Sequence, residues 1–409
     1  MRQRTGQIGM LVSAAFFFAL AGEGRADITT ELSASILVFP KIIADGTRDT
    51  VIQITNTSNS LVRAHCFYVN AALTNPELPQ GPLNPPLWIE VDFTIQLTRQ
   101  QPTYWFVSEG RDVNPLERPC TRDLPFCPHA GFDPGHIPPV VPDFVGELKC
   151  VEVDDSGAPL SGNHLKGEAT LLARREAFDT STDPPTVSFG SSKYNAIGVL
   201  GEENNGDDIL VLGGGQCAGN GVICTAEEDC GDQGPCVFEY NACPQTWILN
   251  HAADGAPDLV LNDNPLEGTA TIDTELTVVP CTQNFETQIP TTVTLQFLTF
   301  NEFESQFSVS TSVTCWGNFK LGSIGSTALT FRGQLPDPQG TAYLQTRIRS
   351  ANGTPFGTFM VAEETYRSKP SVSPKSAFLL ATQAAFNLHV EGSRAVPDII
   401  TIPADQLAP

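Results

Sequence analysis

The sequence predicts an all-β protein made of immunoglobulin-like β-sandwich lobes with a disulfide-rich insert, and three observations carry that prediction. Gly and Pro number 34 and 32 in 409 residues while only 17% are charged, which suits many short strands and turns better than a helical bundle. Apolar residues recur with a period of two in segment after segment. Eleven cysteines behind an export leader read first as disulfides.

The leader comes first. Arg2 and Arg4 precede an uncharged, mostly apolar run from Ile8 to Ala21, and small residues then offer cleavage after Ala21 or after Ala26. This is the layout of a secretory signal peptide over residues 1–26, short of the ~20 apolar residues of a spanning helix. No later stretch reads as a span, so none is expected after cleavage. The net charge is −23, and removing Arg2, Arg4, Glu23 and Arg25 makes it more negative. That charge repels nucleic acid and anionic lipid and suits solubility outside the cytoplasm.

Residues 27–200 are expected to form the first sandwich lobe. Asp45 to Ala71 reads as its seed: strands at Val51–Thr55 and Leu61–Val69 flank the turn Asn56 to Ser60 and form a hairpin that a second sheet must cover. After a Pro-rich loop, Val91, Phe93, Ile95 and Leu97 alternate with polar residues as a half-buried strand. Tyr104–Val107 follows. The long loop from Ser108 to Pro142 carries Cys120 and Cys127, and loops of that length are usually functional or pinned by a disulfide. Strands resume at Phe144–Val153 and Leu165–Ala173.

Residues 201–243 form an acidic and Cys-rich insert. Glu202 to Asp208 is an acidic loop. Cys217, Cys224, Cys230, Cys236 and Cys243 make a small disulfide knot. Residues 244–409 are expected to form the second lobe. Val293, Leu295 and Phe297 alternate with polar neighbours, as do Phe307, Val309, Thr311 and Val313, and again Leu344, Thr346 and Ile348. Ala377–Val390 is the one stretch with helical potential, and His389-Val390 and Gly392 favour a strand ending in a hairpin. Asn163–Leu171 and Asn264–Ile272 echo each other, each reading as a turn entering a strand.

Outside the knot lie Cys66, Cys120, Cys127, Cys150, Cys281 and Cys315. Cys120 and Cys127 suit a short loop closure. Cys281 and Cys315 flank two strands and suit a pairing across them. Cys66 and Cys150 sit in core-like strands of the first lobe. With eleven cysteines one thiol is left over, either buried or linking two chains. Cys120, Cys127, His129 and His136 also offer a zinc-type set, at looser spacing than a zinc finger, and a disulfide is the preferred reading. No metal or other cofactor is expected.

The motifs of serine hydrolases, zinc proteases, P-loops and dinucleotide folds are absent. Glu302 and Glu304 place two carboxylates on one strand face, the minimum for a glycan hydrolase. Glu202–Asp208 and Glu227–Asp229 offer oxygen ligands for calcium, without the spacing of a known calcium loop. His251 and His389 are isolated. Trp88, Trp105, Trp247 and Trp316 suit a sugar-binding face or, more commonly, one buried Trp per sheet.

The segment Cys217–Cys236, with C-x6-C-x5-C-x5-C spacing and Asp229 before the third Cys, resembles the short Cys-rich modules of exported proteins from Gram-negative bacteria of the delta-proteobacterial type. The Asp45–Ala71 segment resembles the early strands of immunoglobulin-like sandwiches. Neither resemblance brings catalytic residues. The expectation is an exported, non-enzymatic structural or binding protein of the periplasm or cell surface, contacting a protein or a glycan. An extracellular glycan hydrolase and a calcium-stabilised surface module are the alternatives.

Overall fold

The computed structural model describes residues 28–78, 80, 83–112, 133–176, 187–201, 215–217, 219–220, 222–224, 227–234, 236–241, 244–257, 270–281, 292–324, 343–351, 357–368, 381–390 and 399–403. Among these the protein is all-β with antiparallel sheets and no α-helix.

The first ten strands are β1 (Ile28–Thr29), β2 (Ile36–Ala44), β3 (Arg48–Asn56), β4 (Val62–Asn70), β5 (Ile89–Leu97), β6 (Pro102–Phe106), β7 (Phe144–Val153), β8 (Leu165–Glu176), β9 (Val187–Asn195) and β10 (Ile197–Val199). They form a six-stranded sheet, β1-β10-β2-β7-β4-β5, and a four-stranded sheet, β6-β3-β8-β9. Leu37, Phe39, Cys66, Tyr68 and Leu148 of the first pack against Ile52, Ile54, Trp105 and Leu171 of the second. The Trp105 indole N–H donates to the Tyr68 hydroxyl inside this core, so its one polar atom is satisfied.

The seed segment departs from expectation. β3 and β4 are not a hairpin: β3 pairs with β6 and β8, and β4 with β5 and β7. The chain arches from one sheet to the other, and the two strands help cover each other's apolar faces. Asn56 sets the arch. Fully buried, it donates from Nδ2 to the carbonyls of Ser60, Leu97 and Thr98 (2.7, 3.1 and 3.0 Å) and accepts the Ser58 N–H at 2.7 Å. These bonds tie the end of β5 and the Ser60 turn to the arch.

β11 (Gly215–Cys217), β12 (Ile223–Cys224) and β13 (Cys236–Asn241) belong to the Cys-rich segment, and β24 (Ile399–Pro403) pairs with β13 to complete its four-stranded sheet. Disulfides join Cys217 to Cys230 and Cys224 to Cys236.

The remaining strands are β14 (Thr246–Ala252), β15 (Ala256–Pro257), β16 (Ala270–Pro280), β17 (Thr292–Asn301), β18 (Gln306–Thr314), β19 (Gly317–Lys320), β20 (Tyr343–Ser350), β21 (Thr358–Ser368), β22 (Ala381–Asn387) and β23 (His389–Val390). One sheet runs β18-β17-β20-β14-β23; the other runs β15-β16-β21-β22, with β19 beside β16. Residues 381–387 and 389–390 are strand, as read from the sequence, though β22 and β23 lie in different sheets rather than in a hairpin. β8 begins two residues into the first echoed segment and β16 near the end of the second, and residues 264–269 lie outside the described residues.

The central strands of the six-stranded sheet, β2, β7 and β4, are buried on both faces. All nine residues of β2 are buried. Away from the first core, Ile36, Val38, Phe67, Val151 and Val199 join a second core with Trp247, Leu249, Val278 and Phe297, and with the cysteines of the knot. A central strand normally excludes Pro, and β2 accommodates Pro40 through a β-bulge between Phe39 and Ile42. The Pro40 carbonyl accepts the Trp316 indole N–H at 2.8 Å. Lys41, 1% exposed, sends its ammonium to Glu363 at 2.8 Å and to Glu275 at 3.1 Å. Arg48 meets the Glu363 carboxylate through one Nη at 2.7 and 2.9 Å, and Ser192 adds a hydroxyl at 3.1 Å. A buried ion cluster therefore fastens β2, β3 and β9 to β16 and β21.

Within the second core lies His251, 2% exposed. Its Nδ1–H donates to the Ala252 carbonyl at 2.8 Å, Nε2 accepts from the Thr346 hydroxyl at 2.8 Å, and Thr299 supplies the hydroxyl bond to Thr346 at 2.9 Å. Burial pushes its imidazole pKa down from 6.5 to about 4. The unfolded chain takes up this proton below about pH 6.5 and the folded chain does not until about pH 4. Stability is therefore expected to fall across that window, by up to about 3 kcal/mol at its lower end. Denaturant midpoints measured from pH 7 to pH 4 check this, and His251→Gln should flatten the upper part of the curve, from pH 6.5 to 5.

Candidate functional site

The cysteines sort as follows. Cys66 and Cys150 are register partners on β4 and β7 and are disulfide-bonded, both fully buried. The expected Cys281–Cys315 bridge is not made: Cys281 is disulfide-bonded elsewhere, and Cys315 keeps a buried thiol. Cys315 sits at φ +60°, where the chain turns out of β18 toward β19. At 2% exposure it does not reach a second chain. Cys120, Cys127, His129 and Cys243 lie outside the described residues. Sulfurs of Cys217, Cys224 and Cys230 lie within 4.8 Å of one another, but all three are tied up in disulfides and offer no thiolate.

The paired carboxylates also move. Glu302 and Glu304 are not on a strand face. They stand exposed in the tight turn between β17 and β18, with Glu304 at φ +60°. A Glu302 oxygen accepts the Tyr343 N–H at 2.9 Å, so one carboxylate pins β20 to the turn. Glu202–Asp208 lies outside the described residues. Glu228 and Asp229 are exposed on a single 3-10 turn. Of the four tryptophans, Trp105, Trp247 and Trp316 are buried, and Trp88 is half-buried under the Lys149 ammonium, 5.8 Å from its ring centre. None of the three buried rings can form a sugar-binding face.

What stands out is the sheet β18-β17-β20-β14-β23. None of the chain's 46 acidic residues lies on its five strands. Its inner face supplies Val293, Leu295, Phe297, Leu344, Ile348 and Trp247 to the core. Its outer face is open and, beside half-buried Ile248, Leu298 and Phe300, carries neutral donors and acceptors. β18 contributes Ser308, Ser310 and Ser312, all exposed. Opposite them on β17, Thr294 shares a hydroxyl bond with Ser312 at 3.1 Å, and Gln296 donates to Ser308 at 3.4 Å. At the end of the ladder Thr292 meets Thr314 at 2.8 Å. β20 adds exposed Tyr343, Gln345, Arg347 and Arg349. Arg349 is held flat across the sheet, donating from Nε and Nη2 to the Gln296 amide oxygen at 2.9 and 2.7 Å. His389 is exposed on β23. The face therefore carries two guanidinium charges and no carboxylate, on a molecule of net charge −23.

The alternation that predicts these strands also contains the signal for this face. Sequence reasoning used the apolar half of 292–301 and 306–314 to find the core and left the polar half unread. The absence of Asp and Glu from that half is visible in the residues alone.

No protein-family model matches the chain, and no curated protein matches it. Among solved structures it aligns with the naturally empty particles of cowpea mosaic virus at 10% identity and a TM-score of 0.14, over 94% of this chain and 100% of that one. A second alignment, to broad bean stain virus, has 11% identity and a TM-score of 0.15, over 94% and 99%. A third, to infectious bursal disease virus, has 8% identity and a TM-score of 0.13, over 91% and 75%. At such TM-scores the likeness carries no argument about fold or role.

Proposed function

We propose that the chain is an exported, non-enzymatic binding protein of the periplasm or cell surface, and that the acid-free outer face of the β18-β17-β20-β14-β23 sheet is its contact surface for a glycan. The observation that carries this reading is the face itself. Its hydroxyls and amides suit sugar hydroxyls, and Arg349 is already oriented. Tyr343, 48% exposed, offers a ring for stacking on a sugar. Keeping carboxylates off one sheet of so acidic a protein has no evident use in solubility, which acidic residues serve best. Export is supported by the leader-like residues 1–26 and by the disulfides, which fit an oxidising compartment. No helix among the described residues is long and apolar enough to cross a membrane.

The test is affinity electrophoresis of the mature, oxidised protein through gels containing purified neutral and acidic surface polysaccharides. Retardation by at least one polymer is expected, with Arg349→Ala and Thr294→Val together weakening it roughly tenfold, or about 1.4 kcal/mol. The reading fails if no polysaccharide retards the protein, or if the double variant, folded as judged by its melting curve, is retarded as strongly as the parent.

A further inference from the structure

The sheet that carries this face ends in an edge strand unlike the other sheet edges. Exposed edges are normally blunted by charge, Pro, bulges or cover. β5 carries Glu90 and Asp92, and the Pro134 carbonyl takes its Gln96 N–H at 2.8 Å. β6 begins at Pro102 and is followed by the Arg111–Ile137 bridge. β22 lies beside β9, joined through Asn195 and Asn387 at 3.1 and 2.9 Å. β18 is nine residues long, Gln306–Thr314, with no charge, no Pro and an unbroken register against β17.

The phase of its hydrogen bonds follows from the turn. Asn301 N–H donates to the Ser305 carbonyl at 3.2 Å. Hydrogen-bonded pairs alternate along an antiparallel ladder, so Phe307, Val309, Thr311 and Val313 bond to β17. The N–H and C=O groups of Ser308, Ser310 and Ser312 then point outward, and among the described residues no backbone group meets them.

The geometry points to a second copy of this chain as the occupant of that edge, paired antiparallel through β18 about a twofold axis at Ser310. The strand is self-complementary about that residue. Ser308 falls opposite Ser312, Val309 opposite Thr311, and Phe307 opposite Val313. On the outer face Ser308 meets Ser312 and Ser310 meets its own copy, with Gln306 opposite Thr314 at the ends, and the β-branched and aromatic residues meet on the inner face. Phe307, Val309 and Thr311 are only half-buried in the single chain, so pairing also covers their open sides. Any other parity would set outer serines against inner apolar residues. Such an isologous contact closes on itself, and its central bonds come from main-chain groups, as in strand addition.

The same axis exchanges the two ends of β18. At one end stands the turn with Phe303, 55% exposed. At the other, Gln80 donates to the carbonyls of Thr314 and Trp316 at 2.8 and 3.0 Å, two residues from Leu78, itself 51% exposed. The twofold brings the partner's Phe303 toward that loop. The joined sheets would have ten strands and present the acid-free face twice. The inference stands independently of what that face binds.

Sedimentation of the mature, oxidised full chain over micromolar concentrations reads the assembly. A dimer is expected. Ser310→Lys, which sets two ammonium groups opposite each other on an exposed position, should give a monomer with an unchanged melting curve. Phe303→Asp should weaken the dimer several-fold. Ser310→Cys should cross-link two chains under mild oxidation, since Cα atoms of a hydrogen-bonded pair lie about 5.5 Å apart, while Gln345→Cys on the same face should not. A parent that is monomeric throughout overturns the inference. So does a dimer that survives Ser310→Lys, or equal cross-linking at both positions.

Discussion

Replacing Cys66 and Cys150 together by Ala is expected to destabilise the protein by about 4–5 kcal/mol. The bridge spans 84 residues, and closing a loop of that length removes about that much chain entropy from the unfolded state. It joins the β4 and β7 partners at the centre of the sheet that both cores share, so its loss is not confined to one lobe. The knot bridges span 13 and 12 residues. Each is worth about 3 kcal/mol by the same relation, in a segment whose opening leaves the first core intact. The double variant should lower the melting temperature by on the order of 10 °C, against a smaller shift for Cys224→Ala/Cys236→Ala. Both sulfurs of the central bridge are buried, so dithiothreitol without denaturant should reduce it only as fast as the protein opens. A melting temperature unchanged in Cys66→Ala/Cys150→Ala would show that the sheet registers without its bridge.

The legible part of this fold is what a single strand reveals about itself. Alternation in Phe93–Leu97, Val293–Phe297 and Leu344–Ile348 marks strands and their inward faces, because a period of two is a local property, whereas Val91 at the start of its run is exposed. Which strands become neighbours is not local. Val51–Thr55 and Leu61–Val69 look like a hairpin, since a five-residue polar turn suits one. Burial of Asn56 under three carbonyls makes the same turn an arch between sheets. The buried-on-both-faces character of Ile36–Ala44 was available as a continuous apolar run, the mark of a strand covered twice, and Pro40 and Lys41 within it disguised it. They are the bulge. The candidate face was half-read for a related reason. Searches for chemistry look for clusters of reactive groups, and this face is defined by a residue type it lacks. Glu302 and Glu304 drew attention as a pair, but residues i and i+2 share a face only if both lie in a strand, and these two lie in a turn.

Lys41 is where the local and the tertiary readings meet, and its removal is the sharpest test of how β2 is joined to β16 and β21. The bulge at Pro40 turns this side chain out of the first sandwich and into a site with Glu363, also 1% exposed, and Glu275, one quarter exposed. Burial pushes the Glu363 carboxyl up, and the Lys41 ammonium and Arg48 guanidinium outweigh it, holding the carboxyl below its usual value. The same balance holds Glu275 down, chiefly through Lys41. Lys41→Met should cost about 3–5 kcal/mol, because it leaves the Glu363 and Glu275 carboxylates without their shared ammonium and only Arg48 to balance buried Glu363. Adding Glu363→Gln to that variant should recover a large part of the loss, giving a coupling of at least about 1 kcal/mol in a double-mutant cycle. The sign of the pH dependence follows. Carboxyls depressed in the folded state stabilise it fully above their unfolded values, near pH 4.5, and that stabilisation disappears as pH falls through the folded ones. Acid should therefore loosen the parent at this seam, and the double variant should lose less across the same range. Equal acid sensitivity of the two proteins would show that this seam is held by apolar burial around Trp316 and Val361, with the ion cluster merely tolerated within it.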